Sequence, residues 1–320
     1  MMYEHLPVVH EMSERPPGFI APNLSPADLR LQPQELAEGV YALMANEVPK
    51  DNNGLIVGTK AALVVDSGIT PGIGRHIQEV AAELTDKPVR YLANTTYHGD
   101  HTFGNTAFGE EVTVVSSRIN KAAMTDLAAE KRLRSESMYG DRSLDHVLTW
   151  RKPDAVFDRF CEIDLGGLVV QLWHLGPGNG LGDTVVHVPA TKVTFTGNFV
   201  LPAGVTPMML RGDPVSYAHS LRTMRAVLDV ETLVPGHGYL GPAEPGVSAW
   251  ISYLEHLAAA VHRGKEAGVP VEVLCDELPM WGIQPAAGAP EHFQALVRSL
   301  HRLNVLLTYR WLGGVSTQAP

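Results

Sequence analysis

From residue 39 onward the chain sets short apolar runs between turn residues. Residues 39–44, 54–58, 61–65 and 89–93 are rich in Val, Leu and Tyr and are bordered by Gly, Asp or Pro. Runs so short, with that composition and those borders, predict β-strands. Residues 73–84 carry apolar positions at helical spacing and predict a helix. A second helical stretch is expected from about Arg118 to Met138, where Asp126, Glu130 and Arg134 recur every fourth position on what reads as a solvated, mostly surface face. Strands resume at 168–175, 184–188, 193–196 and 232–234, and Tyr217, Leu221, Met224 and Leu228 mark the apolar face of a helix between the last two. Beyond Gly246 the pattern changes to two long helices, 247–264 and 290–312, joined by a Pro- and Gly-containing stretch at 275–289. No internal repeat is visible.

Two groups of strands with helices between and after them suit an α/β architecture, in which two sheets pack face to face and helices cover their outer faces. Residues 1–35 are Pro-rich and weakly periodic and read as an arm lying on the domain. The expected organisation is an N-terminal arm at 1–35, a central domain at 36–241, and a C-terminal helical extension at 242–320 that covers the active site.

Charge and cysteine content narrow the partners. A formal net charge of -10 with no basic block argues against nucleic acid and anionic membrane surfaces. Cys161 and Cys275 are the only cysteines, too few for a disulfide framework, which suits a reducing compartment. Neither reads as a zinc ligand. The first residues, with Glu4, His5, His10, Glu11 and Glu14, hold no apolar run of the length of a signal peptide or membrane span. A cytoplasmic protein with a small-molecule substrate is expected, with self-association into a homodimer left open.

The candidate chemistry is concentrated in Asn94-Thr-Thr-Tyr-His-Gly-Asp-His101 and the Thr-Phe-Gly-Asn105 that follows. A turn that projects His98, Asp100 and His101 within four positions offers two imidazoles and a carboxylate to one cation, ligand types suited to zinc or iron. The segment resembles the HxHxDH signature of the metallo-β-lactamase superfamily, with Thr96 where the first His stands. Three further segments follow in the family's order. Gly176-Pro-Gly-Asn-Gly-Leu-Gly-Asp183-Thr-Val-Val is similar to the GPGHTxGDxVV turn, with Asn179 in place of a His ligand. Phe195-Thr-Gly-Asn198 resembles FTGD, with Asn198 in place of the metal-bridging Asp. Val234-Pro-Gly-His237-Gly matches the last ligand turn and keeps its His. Asp66 stands where the family has an Asp that supports the ligand loop. The resemblance covers about residues 36–241 and implies the family's four-layer αββα sandwich.

It also implies which ligands are gone. Thr96 and Asn179 remove two of the three ligands of the first metal position and leave only His98. Asp100, His101 and His237 keep the second position whole, so one divalent metal is expected, zinc first with iron or manganese as alternatives. Three protein ligands and an open position describe a catalytic metal. The resulting expectation is a hydrolase in which His98 or Asp100 positions the water that attacks an ester, thioester or lactone. His98 is expected near its ordinary pKa. A lyase, isomerase or cyclase of specialised metabolism on the same fold is the alternative, and a metal-free binding protein the third reading.

Other residues read as structural. His5, His10, His146, His174, His187, His219 and His256 have no spacing that ties them to the ligand set and are taken as surface or core residues. Asp66 and Asp183 are expected to hold loops through backbone amides. There is no phosphate loop, GxGxxG or GxSxG context. Met and Trp residues at 201–210 and 279–281 are candidates for an apolar wall above the site.

Overall fold

The computed structural model describes residues 14–285 and 289–313. The expectations for His5 and His10, and the middle of the 275–289 connection, lie outside the described residues. The first sheet has seven strands, each beside the next in chain order: β1 (Leu31–Ala37), β2 (Val40–Ala45), β3 (Asn53–Val57), β4 (Ala62–Val65), β5 (Val89–Ala93), β6 (Thr113–Ser117) and β7 (Ala155–Phe157). β1 to β4 are antiparallel and β4 to β7 parallel. Between β4 and β5 runs α1 (Pro71–Leu84), started by the Thr70 hydroxyl, which accepts from the Ile73 N–H, and by Pro71 with its preset φ. The segment from β5 to β7 carries α2 (Gly99–Thr102), α3 (Arg118–Ala123) and α4 (Leu127–Ser135).

The second sheet orders six strands, β8 (Phe160–Asp164), β9 (Val169–Trp173), β10 (Val185–Val188), β11 (Val193–Gly197), β12 (Thr232–Pro235) and β13 (Gly241–Pro242). β11 and β12 are parallel, with α5 (Pro214–Val227) as their crossover. The chain ends in α6 (Gly246–Glu266), α7 (Val271–Glu277) and α8 (Glu291–Trp311). No helix among the described residues is long and apolar enough to cross a membrane.

Alternation along the strands builds the layers. In β2 and β4, Val40, Ala42, Met44, Leu63 and Val65 face the second sheet, while Leu43, Ala62 and Val64 face α1. Successive side chains point to opposite faces, and both faces are covered, so these strands read as continuous apolar runs. Between the sheets Gly54 lies against the Phe195 ring so closely that a Cβ there would collide with it. The outer face of the second sheet packs on α5, α6 and α8 through Tyr217, Leu221, Met224, Trp250, Leu254, Val297 and Leu306. The architecture is the αββα sandwich with a helical C-terminal region.

Several elements differ from expectation. Residues 31–37 pair with β2, so the arm boundary at 35 falls inside β1. β6, β7, β8 and α7 were not expected: Ser116 and Ser117 end β6, β7 has three residues, and acidic residues interrupt β8 and α7, so none offers the continuous apolar run that marked the other strands. The single helix expected at 118–138 is two, because Ser117 caps one and Asp126 caps the other. Its supposed solvated face is also corrected: Glu130 and Arg134 are 4% and 6% exposed. Both turn inward to the ligand loop.

Candidate metal centre

The ligand loop leaves β5 and is held from below by paired amides. Asn94 and Asn105 donate to each other's carbonyl oxygens at 3.0 and 2.8 Å, and Ser67 Oγ donates to Asn105 Oδ1 at 2.7 Å. Asp66, at the end of β4 with φ 59°, accepts from the Thr95 N–H at 2.8 Å and hydroxyl at 2.6 Å. Its Oδ2 also lies 2.9 Å from His101 Nδ1. That contact fixes the imidazole so that Nε2 faces the site, the usual second partner of a metal-ligating His. Asp183, by contrast, serves its own turn by accepting from the Gly180 N–H at 3.0 Å.

His237 arrives from the turn after β12. Its Nδ1 lies 2.8 Å from the Pro49 carbonyl, so Nε2 again points inward. The neighbouring segment is pinned to the same turn, because the Asn52 amide donates to the carbonyls of Pro235 and Gly238 at 3.0 and 2.9 Å. Gly236 is required here: a Cβ would come within 2.7 Å of His101 Cε1. The same pinning delivers Asp51, which the ligand-pattern reading missed. An Asp at the start of Asp51-Asn-Asn-Gly, before a strand, has no spacing to the loop ligands; only strand pairing brings it across.

Among the described residues one group of His, Cys, Asp and Glu could share an ion: Asp51, Asp100, His101 and His237, with their ligand atoms all within 4.8 Å of one another. Asp100 Oδ2 is 3.4 Å from both His101 Nε2 and His237 Nε2. Tetrahedral bonds of about 2.0–2.1 Å place ligand atoms about 3.3–3.4 Å apart, so the residues present fit a divalent ion. Their charges point the same way. Burial alone would lower His101, but Asp100, Asp66 and Asp51 outweigh it and push the ring up to about 10. Burial likewise opposes ionisation of Asp100, yet His101, His237 and Arg134 hold its carboxyl well below the usual range. Asp51 is pushed up to about 7 by burial, with His237 opposing. Three carboxylates around two imidazoles give the cluster a charge that favours a bound cation.

His98 is not in this group. Its ring is fully buried, and neither nitrogen has a hydrogen-bond partner. Burial first and the Arg134 guanidinium second hold it well below its ordinary pKa, which corrects the expectation of ordinary titration. The ring is neutral at pH 7. Asn179 Oδ1 is also buried without a partner, whereas Thr96 lies beside the Asp183 carboxyl. The Asn179 side-chain amide instead donates to the Met208 carbonyl, and the backbone carbonyl of Asn179 accepts from the N–H groups of Leu210 and Arg211 at 3.1 and 3.0 Å. It holds the 206–211 loop.

Beside these residues opens a cavity of about 900 Å³, counted with the solvent at its mouth. Its polar end is made by His98, Asp100, Arg134, Asn179, Asn198 and His237. The rest is mostly apolar, with Arg15, Glu136, Ser137 and Thr206 as polar exceptions; it includes Leu201 and Met208 from the expected wall, Trp250 from α6, Phe19 and Leu24 from the arm, and Leu296 and Val297 from α8, whereas Met280 and Trp281 of the expected wall do not line it. The arm is strapped across it, with the Ile20 N–H donating to Ser299 Oγ at 2.7 Å and the Leu24 N–H to the Ser137 carbonyl at 2.8 Å. Asn304 of α8 accepts from the Met209 N–H at 3.0 Å and donates to the Pro207 carbonyl at 2.6 Å, tying the covering helix to the loop. The buried His174 and His187 are satisfied in the core by the Asp183 carbonyl at 2.9 Å and Thr194 Oγ1 at 2.8 Å.

Comparison with known proteins agrees with this geometry. The family model described as the metallo-β-lactamase superfamily matches residues 51–237, from the first to the last residue of the proposed ligand group. A linear primary-alkylsulfatase of Pseudomonas sp. (strain ATCC 19151) is 23% identical over 216 residues, 58% of this chain and 40% of the relative. The chain thus spans less than half of that protein's length. A metallo-beta-lactamase from Pontibacter korlensis is similar in structure, with TM-score 0.55 and 20% identity over 71% of this chain and 99% of that one. A stereoselective inverting sec-alkylsulfatase from Pseudomonas sp. superposes with TM-score 0.67 and 14% identity over 91% of this chain and 51% of its own. The likeness to the two solved structures is one of fold. With more than half of its length matched by the family model, the chain belongs to the metallo-β-lactamase superfamily.

Proposed function

We propose that the protein is a one-metal hydrolase acting on an ester, thioester or lactone that carries an apolar chain. The observation that supports it most is the survival of one whole ligand cluster, Asp100, His101 and His237 with Asp51, beside a first position reduced to His98. The ion when bound, zinc before iron or manganese, supplies a Lewis acid that polarises a carbonyl and lowers the pKa of water. The chain's own residues do the rest. Asp66 and the Pro49 carbonyl keep the two imidazoles turned inward. Asp100 stays ionised and accepts a proton-bearing group through Oδ1, while the neutral His98 offers one N–H donor and one acceptor to water or substrate in the cavity wall. The apolar wall excludes water and seats the chain.

The names of the alkylsulfatase relatives favour a second reading, in which the ester is a sulfate ester of an alkyl chain. Metal content and a panel of alkyl-chain carboxylic esters, thioesters, lactones and alkyl sulfates, run before and after chelation, test both. About one divalent ion per chain is expected, lost in His237→Ala, with turnover that disappears on chelation and returns with metal. A stoichiometry near two, or turnover equal with and without metal, would falsify the one-metal reading.

A further inference from the structure

The two oxygens of Asp100 face different neighbours. Oδ2 lies 3.4 Å from both His101 Nε2 and His237 Nε2, inside the ligand cluster. Oδ1 turns toward α4, where the proton-bearing group beside it is the Arg134 guanidinium, with Nη1 at 3.5 Å. Arg134 is itself held, because Glu130, one helical turn before it, pairs with its Nε at 3.0 Å. Glu130 Oε1 also accepts from the Gly99 N–H at 2.8 Å. One buried ion pair thus grips the ligand loop at two consecutive residues, at the Gly99 backbone and at the Asp100 side chain. Asp126 caps the start of α4 through the Ala129 N–H at 2.9 Å, and the i, i+4 spacing then puts Glu130 and Arg134 on one face, the one that meets the loop.

A carboxylate beside a divalent ion binds it through one oxygen or through both, and the group that meets the second oxygen decides between the two. Resting on the one-metal reading above, we propose that Arg134, braced by Glu130, is a positioning residue that engages Asp100 Oδ1 and confines Asp100 to binding the ion through Oδ2 alone. The role needs the guanidinium matched: set between the Glu130 and Asp100 carboxylates, its burial at 6% exposure is tolerated, and Asp100 keeps its orientation. The consequence is a place left on the ion. A second Asp100 oxygen would fill the position that a water or a substrate carbonyl takes at a hydrolytic metal.

Cobalt(II) is the probe, since its visible absorption reports geometry and weakens as ligands are added. Spectra are taken of cobalt-loaded wild type, Arg134→Lys and Arg134→Met, with the melting temperature of each chelator-treated protein beside them. Arg134→Met should lose absorption because Asp100 Oδ1 is released to the ion, and Arg134→Lys, which keeps a cation opposite Oδ1, should recover the wild-type spectrum. A tether that only stabilised the fold would lower the melting temperature and leave the spectrum alone, so an Arg134→Met spectrum equal to wild type overturns the proposal. If Arg134→Met does not fold, a crystal structure of metal-loaded wild type decides alone. One Asp100 oxygen on the ion with Oδ1 on Arg134 upholds the proposal, and both oxygens on the ion overturn it. Two ions per wild-type chain with the Arg134→Met loss intact would defeat the one-metal reading and leave this one standing. One ion per chain with an unchanged spectrum would do the reverse, and no bound ion would overturn both.

Discussion

Single residues at this site act through their surroundings more than through their type. Asp66 and Asp183 both read as loop supports, and both hold backbone or loop groups, yet their environments differ. Asp66 meets a His and a Thr hydroxyl, whereas burial pushes Asp183 from 3.8 to about 7 against the Gly180 N–H. Folded Asp183 therefore binds its proton more tightly than unfolded Asp183 does. Its contribution to stability is present in full below the unfolded value and is lost as pH rises through about 7, a decline of about 4 kcal/mol for that shift. Urea unfolding of chelator-treated wild type and Asp183→Asn should show the variant gaining relative stability between pH 4.5 and 8 by up to roughly that amount. Parallel curves would show that Asp183 is not protonated in the fold. That Asp183 is structural could be read from its motif; its charge state could not, because desolvation depends on what packs around it.

At the scale of elements, the loop after β5 and the turn after β12 bring Asp100, His101 and His237 together, as their family motifs implied. Asp51 and α4 entered unseen. Asp51 reaches the site only because the strand segment at Asp51–Asn52 is pinned to the His237 turn, a nonlocal pairing without a sequence period. Glu130 and Arg134 have the i, i+4 spacing of an exposed ion pair, and nothing local says that the face carrying them is buried. Restoring the family's ligands through Thr96→His, Asn179→His and Asn198→Asp should therefore not be enough for a second ion. The buried Arg134 guanidinium acts on His98 as a nearby positive charge that disfavours a dication there, and the Asn179 side chain would no longer donate to the Met208 carbonyl. We expect metal analysis to give one ion per chain for the triple variant and a rise toward two when Arg134→Met is added. A second ion in the triple variant alone would mean that Arg134 does not guard the first position.

For the molecule as a whole, the sandwich brings the candidate metal site together at the ends of β5 and β12, and the arm and α8 cover that end to leave a largely apolar cavity. Val297 is fully buried in α8 and lines the wall. Val297→Phe should shorten the preferred substrate chain and raise KM for long chains while leaving metal content unchanged, at a cost of about 1–3 kcal/mol in stability from overpacking. Chain-length profiles of KM on an ester series measure this, and an unshifted profile would place the chain elsewhere than against α8. The long helices of the extension were legible because an amphipathic period over many residues is a strong signal. The Pro-rich stretch before β1 was read as an arm, but its course was not legible, since it has no period and is set by distant partners such as Ser299 and Ser137.

Local and ordered information in the sequence thus determined the sandwich, the long C-terminal helices and the turns that carry Asp100, His101 and His237, because strand alternation, helical period and short motifs are each written within a few residues. The tertiary structure alone decided that Asp51 lies beside Asp100, His101 and His237, that His98 is buried, and that Glu130 and Arg134 turn in to the ligand loop. Each of those depends on burial and on charges brought together from far along the chain, and electrostatic energy in a low-dielectric interior is set by distance in space rather than by distance in sequence.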